Sequence, residues 1–195
     1  MATTTLSGHL NEITPPTEQP VSRREAQEWM RIDCDDDAHL IDAVIKAATA
    51  NVQEYLNRQL VTATWDYFLD RFNDPIQLPL APLQSVTSVS YVDNDGATQT
   101  LSTDVYTVDA NREPGMVYRS WNQNWPSIRT IRNAVTIRFV AGYGAASTVP
   151  DEIKAAIKMS VVDIYENRGK TSELRNADNM TWQRLLWPRR VQMFH

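Results

Sequence analysis

The sequence predicts an α+β fold: a helical frame of three main helices, an antiparallel β-sheet inserted into it, and extended arms at both ends. Three observations carry this reading. Residues 36–58 and 150–167 repeat apolar side chains at steps of three and four, the spacing of one helix face. Residues 61–140 between them turn β-branched and aromatic and alternate in polarity, the period of a strand. The two ends lack either period, the first being rich in Thr and Pro and the last opening with a polar link.

Residues 1–21, with Pro15, Pro16 and Pro20, read as an N-terminal arm. The start is polar and has no basic-then-apolar segment, so no secretory signal is expected. Ser22-Arg23-Arg24-Glu25 is a capping-box pattern, in which hydroxyl and carboxylate each satisfy a free backbone N–H. It predicts a short helix over 22–32 that buries Ala26, Trp29 and Met30. Asp35, Asp36 and Asp37 then open a helix over 36–58, where acidic groups suit the dipole. Its stripe is Leu40, Ile41, Val44, Ile45, Ala48, Val52, Tyr55 and Leu56.

Strands are expected at 62–69, 86–92, 98–101, 105–109, 115–119 and 134–140. Asp95-Gly96 after the second run signals a hairpin, because glycine accepts positive φ without steric cost. Pro79 and Pro82 mark a turn or sheet edge. Pro150 starts the third main helix, 150–167, with Thr148 as its cap and Asp151 and Glu152 in its first turn. Its stripe is Ile153, Ala156, Ile157, Ser160, Val161 and Ile164, and Asn167-Arg168-Gly169 ends it. The two long helices should pack on each other as the frame. The predicted organisation is thus an arm at 1–21, a domain over 22–169 and a C-terminal tail over 170–195.

The 195 residues carry a net charge of −5, unevenly spread. Residues 1–80 hold 6 basic and 13 acidic side chains, whereas residues 151–195 hold 8 and 6. A duplex-DNA binder needs a basic face that neutralises phosphates, and no such face is evident. No apolar run of about 18 residues is present, so no membrane contact is expected. Cys34 is the only cysteine, so no internal disulfide can form.

Catalytic and ligand-binding patterns fail one after another. Asp33, Asp35 and Asp37 alternate like a calcium loop, but its sixth and twelfth positions are Ala38 and Val44. Gly142-Tyr143-Gly144 sits between strand and helix like a dinucleotide fingerprint, yet Ser147 takes the third glycine's place and Pro150 follows. A glycine-assisted turn out of the sheet is the better reading. His9, His39 and His195 are too far apart in sequence to suggest a metal site. No phosphate loop and no nucleophile elbow occur. No catalytic residue, metal or cofactor is therefore expected, and an enzyme is not.

The tail is more informative. Trp182, Arg184, Leu185, Leu186, Trp187, Arg189, Arg190 and Phe194 crowd its end, and Trp and Arg are the residue types that anchor interfaces. One reading is a helix packed on its own domain. The other is a segment that binds a partner, reached through the polar link 170–179.

Several short stretches, in order, resemble the head–tail connector families of tailed phages, the gp6-like group and its phiE125 gp8-type relatives. They are Trp29-Met30-Arg31-Ile32-Asp33 with Asp35-Asp36-Asp37, then Val52 to Leu60, Pro79 to Val86, Phe139-Val140-Ala141-Gly142-Tyr143-Gly144, and Val149 to Ile157 with Tyr165-Glu166-Asn167-Arg168. Leu56-Asn57 stands where the family usually has Thr-Gly. The resemblance covers roughly 15–170. It implies a structural subunit of the virion neck, assembled in the host bacterial cytoplasm. Such subunits form a ring, commonly of twelve, beneath the portal. The ring meets a tail, stopper or terminator protein on its other side, and double-stranded DNA passes non-specifically through its lumen. Under this resemblance the tail residues named above would bind the portal or a neighbouring subunit. Alternatives are a DNA-contacting packaging factor and another virion ring protein such as a tail terminator.

Overall fold

The computed structural model describes residues 8–32, 37–166 and 180–192. The described residues form two compact units: a helical one from 17–32, 37–61, 143–166 and 180–190, and a sheet one from 8–16, 62–142 and 191–192.

In the helical unit, α1 spans Arg23–Met30, α2 Ala38–Leu56, α3 Asp151–Glu166 and α4 Met180–Leu186. The expected capping box starts α1: Ser22 Oγ accepts the Glu25 N–H at 3.2 Å, and the Ser22 N–H donates to the Glu25 carboxylate at 2.8 Å. Helices α1 and α2 end on Arg31 and Asn57, both left-handed, with φ of 58° and 54°. Asparagine tolerates that conformation because its short polar side chain bonds locally, whereas arginine has no such relief. An ion pair between Arg23 and Asp42 ties α1 to α2.

Helix α2 packs on α3, and α3 on α4. Their shared core holds Ile41, Val44, Ile45, Ala48, Val52 and Leu56 from α2, and Ile153, Ala156, Ile157 and Val161 from α3. The predicted frame is therefore present, with four corrections. Leu40 is 38% exposed. It precedes Ile41 by one residue, about 100° of helix turn, which carries it off the buried stripe. Trp29 is 52% exposed, since α1 is short and only Ala26 is fully enclosed. Asp37 does not cap α2 with its side chain, and its carboxylate accepts the Tyr165 hydroxyl at 2.6 Å instead. Asp35 and Asp36 lie outside the described residues, as does the expected α3 terminus at Asn167-Arg168-Gly169. Thr148 does not take the cap role either: its hydroxyl lies on the Tyr143 and Ala145 carbonyls, at 3.0 and 2.7 Å.

The sheet unit contains eight strands among the described residues. They are β1 His9–Thr14, β2 Ala63–Leu69, β3 Ile76–Gln77, β4 Leu83–Val92, β5 Thr98–Thr100, β6 Tyr106–Asp109, β7 Met116–Arg119 and β8 Val135–Ala141. Five form one antiparallel sheet in the order β1-β2-β8-β4-β5, and three form a second, β3-β7-β6. Strand β8 lies between β2 and β4, so its alternation is the clearest: Val135, Ile137, Phe139 and Ala141 are buried while Thr136, Arg138 and Val140 are not. Across from it, Trp65 faces Phe139, Tyr67 faces Ile137 and Leu69 faces Val135. The core formed this way takes in Ile76, Val117 and Tyr106 from the second sheet. Burial pushes the Tyr67 hydroxyl up to about 12.

The β4–β5 hairpin forms at the predicted Asp-Gly turn, with Gly96 at φ 90°. Asp93 closes the loop, its carboxylate accepting the N–H groups of Asp95 and Ala97 and the Gln99 side-chain amide. These bonds, the Gln99 one first, hold its carboxyl below the usual range. Gly142 and Gly144 take φ of 126° and 123°, the glycine-assisted turn expected after β8. Strand β1 is an addition to the sequence reading. Part of the expected N-terminal arm pairs with β2 along one edge of the larger sheet.

Candidate interaction surfaces

The expected tail residues fall into two groups. Leu186 is fully buried in the helical core, and Trp182 packs against that core edge-on to Tyr55, with ring centroids 5.3 Å apart. Tyr55 also donates its hydroxyl to the Gln183 carbonyl at 3.2 Å, and the Arg190 guanidinium lies 5.0 Å from the Tyr55 ring centroid. Arg58 donates to the Arg189 carbonyl at 2.6 Å, while the Arg189 guanidinium meets Glu152 at 3.3 Å. The Glu152 carboxyl is lowered, first by a backbone N–H and then by Arg189. Pro188 sits in a short 3-10 turn, Trp187–Arg189, that follows α4.

The second group faces outward. Trp187 is 60% and Leu185 40% exposed, and Arg184 is exposed beside them. The split follows helix geometry, since Trp182 and Leu186 are four residues apart and share one face, whereas Leu185 and Trp187 flank it. Phe194 lies outside the described residues.

A further surface was not read from the sequence. After β7 the chain enters a loop that carries Trp121 at 97% exposure. The loop is braced on both sides. Arg119 binds Asp74 at 3.2 Å and the Asn124 side chain at 3.1 Å, and the Ser120 N–H donates to the Val105 carbonyl at 2.9 Å. Further on, Trp125 stacks on Phe72 with centroids 4.7 Å apart and planes 1° from parallel. Ser120 to Asn124, with Asp74 and Arg119, line an open concavity of about 320 Å³. The available signal was a tryptophan set among amides, Ser120-Trp121-Asn122-Gln123-Asn124, outside any apolar period.

Among the described residues, no cluster of three or more His, Cys, Asp or Glu side chains is arranged to hold a metal ion. No helix among them is long and apolar enough to cross a membrane.

No curated sequence matches the chain. Several chains of solved structures share its fold, among them three from gene transfer agent particles. One is from the neck of an empty gene transfer agent particle, computed with C6 symmetry, at 20% identity and a TM-score of 0.80, covering 95% of this chain and 96% of the other. A second, from the virion of the native gene transfer agent particle, has 22% identity, a TM-score of 0.78 and coverage of 94% and 96%. A third, from the native particle's neck computed with C12 symmetry, has 20% identity, a TM-score of 0.70 and coverage of 95% and 96%. The α+β arrangement of this chain is thus matched along nearly its whole length. Residues 21–182 match the family model of the head completion proteins, and the chain belongs to that family.

Proposed function

We propose that this chain is a structural subunit of the neck of a phage-like particle, forming a ring between portal and tail that extends the DNA channel. The observation that carries the reading is the family match over residues 21–182, and the shared fold with chains of particle necks supports it. A ring of identical subunits needs a head-to-tail contact whose rotation closes. The C12 and C6 symmetry of the similar necks fits a ring, and a dodecamer is our expectation. The chain's net charge of −5 suits a channel, because DNA must slide through without being held by its phosphates.

In this role the chain performs no chemistry. It binds the portal on one side and a tail, stopper or terminator protein on the other, within a virion put together in the bacterial cytoplasm. The outward group of tail residues, Arg184, Leu185 and Trp187, is the part of the C-terminal segment we assign to the portal or to a neighbouring subunit. Trp182 and Leu186 would hold that segment in place from beneath.

Imaging of particles made with and without the chain tests the reading. With it, a closed ring should lie under the portal. Without it, heads should form but stay tailless. A chain absent from finished particles, or present there as an isolated two-fold dimer, overturns the proposal. A salt-dependent shift of duplex DNA by the purified chain would favour a DNA-contacting packaging factor instead.

A further inference from the structure

We propose that the concavity beside Trp121 is a binding site for a neutral saccharide. The inference needs only the folded chain and stands apart from the neck reading.

The charges come first, because they exclude most ligands. Two charged side chains line the concavity, Arg119 and Asp74, and each neutralises the other. Arg119 Nε lies 3.2 Å from Asp74 Oδ2, and the Arg119 backbone N–H donates to Asp74 Oδ1 at 3.4 Å. A free phosphate or a nucleic-acid strand therefore meets no unspent positive charge there. A protein partner is poorly matched as well. The centre of a protein interface is apolar, whereas Trp121 stands among the polar residues Ser120, Asn122, Gln123 and Asn124.

What remains is an aromatic plate ringed by neutral donors and acceptors. A sugar ring has the matching chemistry: an apolar C–H face and a rim of hydroxyls that both donate and accept. Trp121 is 97% exposed and offers its indole face to the first. The side-chain amides of Asn122 and Gln123 carry no hydrogen bond among the described residues, and each supplies a donor and an acceptor to the second. Asn124 spends its carbonyl on Arg119 at 3.1 Å and keeps its NH2 group. The volume, about 320 Å³, lies at the small end of the range for small-ligand clefts. The site is also set in advance. The Gln123 N–H closes a turn on the Ser120 carbonyl at 3.1 Å, Asn122 holds a left-handed φ of 59°, and the Trp125–Phe72 stack pins the far side. A ligand then orders little of the loop on binding, which preserves affinity.

The experiment titrates the purified full chain with maltose, cellobiose and N,N′-diacetylchitobiose, and with inorganic phosphate as a charged control. Saturation-transfer NMR and indole fluorescence are read together. The expected result is saturable transfer to the C–H protons of at least one disaccharide, with a matching fluorescence change and none from phosphate. Trp121→Ala should lower that affinity about tenfold or more, as loss of an aromatic anchor does. Gln123→Ala should weaken it less, and Trp29→Ala, which removes an exposed tryptophan outside the concavity, should leave it unchanged. Absence of saturation for all three disaccharides, or equal binding by Trp121→Ala, overturns the proposal. Loss of tails from particles carrying Trp121→Ala, with no sugar bound by the parent chain, overturns it too and assigns the residue to a protein contact.

Discussion

Arg138 grips Asp66 from the neighbouring strand through two parallel bonds, Nε to Oδ1 and Nη2 to Oδ2, each 2.8 Å long. The two residues are directly opposite in the β2–β8 register, although 72 positions separate them in the chain. Asp66 is 5% exposed, while the Arg138 side chain is 45% exposed. The arginine thus acts as a lid over a carboxylate that water scarcely reaches. The bond to Asp66 raises the Arg138 guanidinium further above its already high range.

Arg138→Met should therefore destabilise the protein by about 2 kcal/mol, because it strands a buried acid. The figure is below that for a fully enclosed pair, since water can reach the vacated site. Pairing it with Asp66→Leu should return much of the loss. Urea unfolding of both single variants and the double variant measures the coupling. A double variant whose loss equals the sum of the two single losses would show the pair to be uncoupled.

The capping box at α1 predicts a pH signature. Glu25 is held below its usual value of 4.5, first by the Ser22 backbone N–H and then by the Ser22 hydroxyl. A lowered acid contributes stability above its unfolded pKa and loses it as pH falls through the folded value. Ser22→Ala should cost about 1 kcal/mol at pH 7. The gap between the two proteins should narrow once the pH drops below 4.5, as Glu25 takes up a proton. Thermal melts from pH 7 to 3 follow this directly.

Val44 sits 7% exposed between α2 and its neighbours in the helical core. Val44→Asp should destabilise the chain by about 3 kcal/mol or more, by enclosing a charge with no partner. A soluble variant with an unchanged melting temperature would contradict the packing.

The tail should divide under mutation as it divides in space. Leu186→Ala opens a cavity in the helical core and should cost about 3 kcal/mol. Trp187→Ala changes an exposed side chain and should stay within about 0.5 kcal/mol. If the outward group binds the portal or a neighbour, Trp187→Ala should still impair attachment to portal-bearing heads. Deleting residues 178–195 would conflate the two effects, because it removes Leu186 and Trp187 together.

The helical stripes, the capping box, the hairpin turn and most strand positions were legible because each depends on residues a few positions apart. A capping box needs Ser22 and Glu25 alone, and an Asp-Gly turn needs its two residues and flanking strands. The amphipathic stripe failed only at its margins, at Leu40 and Trp29, where burial depends on whether a neighbour reaches that far round the helix. The tail was harder. The composition of residues 182–190 singled out an anchor-like segment, but nothing local says that Leu186 enters the core while Trp187 does not.

From the sequence alone came the α+β class, the order of the main elements and the absence of familiar catalytic motifs, since periodicity and spacing are properties of the chain itself. Tertiary structure decided the strand order β1-β2-β8-β4-β5, the Asp66–Arg138 pairing and the exposure of Trp121. Each of these rests on contacts between segments tens of residues apart, or on a contact that the fold leaves unmade. A local pattern carries no record of which distant segment arrives to cover a side chain, so burial at these positions is settled only when the chain closes on itself.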